Sequence, residues 1–150
     1  MAGVIGVANT SEVALTAATA RTVIQIVSAA HSPIKIKEWG VFFDSTSVSA
    51  EPVQVRLLRQ SSAGTMSSLT PVERTITGVT LTTTAQHTAT VEPGAGNVLA
   101  VREVHPQSGY QEKFAPGDEI IVGGTSAARI GIECTAPAGV NVRAEIVFEE

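Results

Sequence analysis

The sequence predicts an all-β fold: a two-sheet antiparallel sandwich of jelly-roll type with an extended N-terminal segment. Three observations carry this expectation. The chain holds 19 Val, 11 Ile and 17 Thr against 6 Leu. Branching at Cβ costs rotamer freedom in a helix and packs well on a pleated surface. The prolines, at positions 33, 52, 71, 93, 106, 116 and 137, stand beside apolar runs rather than inside them. A residue that cannot donate to a ladder punctuates strands in this way. Finally, Val140, Val142, Ala144, Ile146 and Phe148 alternate with Asn141, Arg143, Glu145 and Val147, the period of a strand with one buried face.

Taken in order, residues 1–20 mix Val4, Ile5, Val7, Val13 and Leu15 with small residues and one side-chain charge, Glu12. They read either as a first strand or as an arm that packs on a neighbouring subunit by adding a strand to a sheet edge. Residues 21–150 read as a single sandwich domain. Thr22–Ala29 is the first strand there, ending at the turn His31-Ser32-Pro33. Ile34–Asp44 follows. Its inward parity changes between Ile36 and Trp39, which calls for a bulge around Glu38 to Gly40, with Gly40 the natural place.

Val53, Val55 and Leu57 alternate with polar neighbours, and Leu58 breaks the pattern as an outward apolar residue, as Val147 does later. Residues 61–71 read as a long polar connection, with room for a helical turn. Residues 72–81 and 82–91 are Thr-rich strands or a strand and a loop. Asn97–His105 is a strand after the turn at 92–96. Tyr110–Phe114 and Glu119–Val122 flank Ala115-Pro116-Gly117-Asp118 as a hairpin or a bent strand. Ile130, Ile132 and Cys134 alternate before the turn at 136–139 and the last strand. The total is eight or nine strands, and long connections favour a jelly roll over a meander.

Composition excludes several functions. With 10 Lys and Arg against 14 Asp and Glu, the net charge is −4, and no basic cluster offers to displace counterions from a phosphate backbone. No nucleic-acid partner is expected. No apolar run approaches the ~20 residues that span a bilayer, and no cationic segment precedes the first apolar residues as in a signal peptide, so no membrane partner is expected either. One cysteine, Cys134, forms no intramolecular disulfide, and its apolar parity places it in the core.

Candidate chemistry is sparse. None of the 12 serines sits in G-x-S-x-G, and His31, His87 and His105 lack ligand-like or triad-like neighbours. Asp118 and Glu119 follow a turn glycine without the further oxygen donors that calcium needs. The glycines at 94–96 and 123–124 match no phosphate-binding template. The expectation is therefore no catalytic residue, no metal and no cofactor. Tyr110, in the loop HPQSGYQ beside His105, is the one aromatic residue placed to serve as a glycan platform.

Three blocks carry a family resemblance: KIKEWGVFFDSTSVSAEPVQVRLLRQSSAGTMSSLTP (35–71), TAQHTATVEP (84–93), and EVHPQSGYQEKFAPGDEIIVGG with RIGIECTAPAGVNVRAEIVFEE through to the end. Over most of residues 21–150 the chain resembles small proteins encoded among tailed-phage structural genes, in particular the jelly-roll cement or decoration proteins on the outside of phage heads. The resemblance implies a non-enzymatic virion protein, assembled in the host cytoplasm onto the capsid exterior. Its partners would be the phage major capsid protein and further copies of itself, as a homodimer or homotrimer. A tail-associated or receptor-binding sandwich that recognises host glycans is the alternative. The candidate interface residues are Val4, Ile5, Val7, Val13, Leu15, Leu58, His105 and Tyr110. Only 16% of residues are charged, against about 25% in ordinary domains. A surface so poor in charge suits coverage by neighbours, and the isolated chain is expected to self-associate.

Overall fold

A computed structural model describes residues 3–47, 50–75 and 78–150. Among them there is no helix, and thirteen strands form two antiparallel sheets packed as a sandwich. The strands are β1 (Ile5–Asn9), β2 (Val13–Leu15), β3 (Ala20–Val27), β4 (Ile34–Phe43), β5 (Val53–Gln60), β6 (Thr65–Leu69), β7 (Val72–Glu73), β8 (Thr84–Val91), β9 (Ala95–Val104), β10 (Gly109–Lys113), β11 (Ile120–Val122), β12 (Arg129–Thr135) and β13 (Val140–Glu149).

The first sheet runs β10-β4-β13-β1-β7, with β11 also on β4 and β2 also on β13. The second runs β6-β8-β3-β12-β5-β9. From β2 to β5 and from β9 to β13 the chain repeatedly changes sheet, so the fold is no meander, and its winding is compatible with a jelly roll. Residues 5–15 run along β13 as one interrupted strand: Ile5 pairs Glu149, Asn9 pairs Glu145, and Val13 pairs Val142. Across the interruption, Thr10 stays bonded to Ala144 through its amide and its hydroxyl, both at 2.9 Å. The N-terminal segment thus pairs with its own chain.

The core lies between the sheets. Trp39, Val41, Ile146 and Phe148 come from the first; Ile24, Ile26, Leu57, Ile130, Ile132 and Cys134 come from the second, all without exposed surface. The parity change in β4 is present, but the bulged residue is Lys37: Val147 pairs Glu38 and Phe148 pairs Ile36. Lys37 is turned out by the bulge to bond Glu119 at 2.8 Å and Glu149 at 3.2 Å. Gly40 instead stays in register opposite Glu145. Its outward side is covered, since a Cβ there would stand 3.1 Å from the Tyr110 carbonyl oxygen and 3.4 Å from the Phe42 ring, and that ring also lies over Gly109, the direct cross-strand partner of Phe42.

Several expectations change. Residues 61–71 are not a plain connection, since Thr65–Leu69 forms β6, an edge strand that pairs β8. Its polar, largely exposed side chains leave no alternation to read. Of the two readings of 72–91, the strand and a loop is the one seen: Thr84–Val91 is β8, and the described residues of 72–81 hold only the two-residue β7, with residues 76 and 77 outside the described set. β10 and β11 are one bent strand rather than a hairpin, because both run antiparallel to β4, on Glu38–Phe42 and on Ile34–Ile36.

Candidate functional site

The surface with the most exposed apolar material is the side of the sandwich where both sheets end, at β9 and at β10–β11. β9 pairs only β5 and carries ten residues. Ala95 to Leu99 are exposed on both strand faces, because two register shifts against β5 push this half of the strand away from the sandwich. Val98, Leu99 and Val101 stand 43%, 39% and 47% exposed, and Ile121 on the neighbouring edge is 49% exposed.

Charged side chains close the gap beneath this surface. Arg102 points inward from β9, donates from Nε to the Tyr110 hydroxyl at 2.8 Å, and pairs Glu112 at 3.3 Å. The Tyr110 hydroxyl donates to Glu112 in turn, at 3.2 Å. The Arg102 guanidinium lies 5.3 Å from the centre of the Tyr110 ring, which tilts against Trp39, also at 5.3 Å between centres. Together the hydrogen bond that Arg102 donates to Tyr110 and the charge of Glu112 raise the Arg102 pKa above its ordinary value. Further along, Arg59 donates to the Ile121 carbonyl at 3.0 Å. Arg102 and Arg59 are thus engaged within the molecule, while Lys113 on β10 and Glu103 on β9 stay exposed beside the apolar residues.

The residues expected at an interface are scattered. Val13 and Leu15 are core residues facing the second sheet, at 2% and 4% exposure, so they offer no surface. Val4, Ile5 and Val7 are half-buried in the first sheet. Leu58 and Val147 do point outward in parity, yet both are buried. Leu58 shares its row with Gly131 and Gln25 on a strip crossed by two loops. There Gln25 donates to Gln60 at 2.7 Å, Gln60 donates to Thr22 at 3.0 Å, and Thr22 donates to Glu92 through its amide and hydroxyl. Ser61 and Gly94 lock the loops to each other.

His105 is half-buried and organises a turn, its Nδ1 accepting from the Gln107 amide and its carbonyl from Ser108. Tyr110 is committed to the Arg102 cluster and is no open glycan platform. Val98, Leu99, Val101 and Ile121 were not singled out from the sequence. The consecutive apolar run Val98-Leu99-Ala100-Val101 is the signal for them, but such a run reads equally well as a central strand.

Among the described residues no group of three or more His, Cys, Asp or Glu stands together to hold a metal. Burial pushes the Cys134 thiol far above its ordinary pKa. Glu119 accepts from Lys37 and from the Gly117 amide at 2.7 Å, and its carboxyl is held down at about 2. Two shallow clefts open at other places. One, of about 380 Å³, lies between the loops around Ser45, Glu51, Pro106 and Pro137; the other, of about 540 Å³, lies between β6 and β7 around Leu69, Val72, Val79 and Leu81.

Comparison with known proteins finds no matching family model and no matching curated protein. The chain is similar to one solved structure, the Yersinia pseudotuberculosis-derived mitogen, at 11% identity and a TM-score of 0.38, over 93% of this chain and 83% of that one. At that similarity the likeness carries no argument about what this chain does.

Proposed function

We propose that the chain is a non-catalytic structural protein of a phage particle, which binds the outside of the capsid and reinforces the contacts between capsomers. The observation that carries this reading is the pairing of a rigid strand scaffold with large exposed apolar side chains. Val98, Leu99, Val101 and Ile121 stand on one side, while Val72 and Val79 stand on the opposite side. Interface cores are depleted in charge, and contiguous exposed apolar surface in a folded domain marks places that partners cover. The blocks at 35–71, 84–93, 103–124 and 129–150 that resemble decoration proteins support the same reading. Many weak copies on one lattice would be retained together more firmly than any one alone. The glycan-binding alternative rested on Tyr110 and loses its support with that ring held against Trp39.

Mass spectrometry of purified phage heads tests the proposal, together with binding of the purified chain to heads stripped of their outer proteins. The expected result is a stoichiometric component that rebinds stripped heads. Absence of the chain from mature heads, with no rebinding, overturns the proposal.

A further inference from the structure

We infer that the β9 side of the sandwich is a self-association surface, on which a second copy of this chain packs across a two-fold axis with Val98, Leu99 and Val101 of the two copies in contact. The inference goes beyond capsid binding and does not depend on it.

Five features point to a second copy. Among the described residues the first half of β9 is free on three sides: its edge pairs with none of them, and both of its faces are exposed from Ala95 to Leu99. Edge strands in stable monomers are kept short, or carry Pro, bulges or inward charges that block pairing. β9 has two bulges and the inward Arg102, yet it is ten residues long, lacks proline, and has no charge from Ala95 to Val101. Next, a two-fold axis sets this neutral stretch against itself, so no like charges meet, and the neighbouring Arg102 is already neutralised by Glu112 inside the same copy.

Size fits as well. Ten residues at ~3.3 Å each make a strip about 33 Å long, and two sheets ~10 Å apart with their outward side chains make it about 20 Å deep. Such a patch is close to the ~800 Å² per partner of a standard interface. The opposite edge is a poor alternative partner. β6 has only five residues, with exposed Thr65, Ser67 and Ser68. A head-to-tail contact between β9 and β6 would match apolar to polar, and it would build an open filament rather than a closed pair. The bulges in β9 limit any continuous ladder, so the contact is made mainly by side chains, with Ala100 near the axis and Leu99 and Val101 on either side of it.

Sedimentation of the isolated full chain over a range of concentrations tests this. Wild type should show a monomer–dimer equilibrium, and Val101→Lys and Val101→Glu should each weaken it by at least about tenfold, as loss of a central apolar contact does. Mixing the two variants should restore the dimer, because only a two-fold contact brings Val101 of one copy near Val101 of the other. Val72→Lys, on the opposite side, should leave the dimer intact. Emission of the buried Trp39 reports whether each variant folds, and Val101→Thr, nearly isosteric, replaces any that does not. A monomer at all concentrations, a trimer, or a dimer lost with Val72→Lys and kept with the Val101 variants overturns the inference.

Discussion

Thr88 stands at φ 56° within β8, a left-handed conformation that a β-branched side chain rarely takes and that costs roughly 1–2 kcal/mol. The strain has a structural purpose. Ladder pairing of β8 with β3 ends at His87, and the register with β6 shifts between Ser67 and Thr65, so the strand bends at Thr88 and carries Glu92 to Thr22. Thr88→Gly should therefore raise stability by up to about 1 kcal/mol, even after the added freedom of the unfolded chain, as a higher urea midpoint with unchanged slope. Gly131 is the opposite case. A Cβ there would collide with the Gln60 amide, which is held between Gln25 and Thr22. Gly131→Ala should cost about 1–3 kcal/mol, the usual penalty when a buried hydrogen-bonding group loses its partner, and the same urea titration measures it.

Lys37, Glu119 and Glu149 tie the β4 bulge to the end of β13 and to the start of β11. The Lys37 ammonium holds the carboxyls of Glu119 and Glu149 below their ordinary range, and they raise its own pKa. A carboxyl held down in the folded state stabilises it above the unfolded pKa and loses that contribution as pH falls. For Glu119 the loss runs from about pH 4.5 to about 2. Glu119→Gln should flatten the acid side of the stability–pH curve in that window and leave the rest of the curve parallel, as thermal melts across pH would show. Element by element, the sequence is most legible where one face is buried and the other solvated. The alternation in β13 and the parity change in β4 can both be read directly from it. β6 and β7 cannot, because short polar edge strands bury too little to leave a pattern. Leu58 and Val147 misled for a related reason: parity names the face of a sheet, but loops and neighbouring side chains decide whether that face is covered. The apolar run of β9 was visible, and its position at an edge was not, since strand order is a property of the whole chain.

At the scale of the molecule, the low charge content and the open β9 side belong together. Arg56 pairs with Glu133 across the second sheet, Arg102 closes the sandwich, and Lys37 secures the bulge. With few charges in the chain and several of them used internally, broad parts of the exterior are neutral and partly apolar. Such a surface is costly for a protein that stays alone and well matched to one that is covered by copies and partners. A cryo-electron microscopy map of intact phage heads decides the proposed role on the particle. Sandwich-shaped density is expected on the outer surface at the joints between capsomers, with β9 of each copy facing another copy; heads that lack this density while the chain is present elsewhere in the lysate rule that role out.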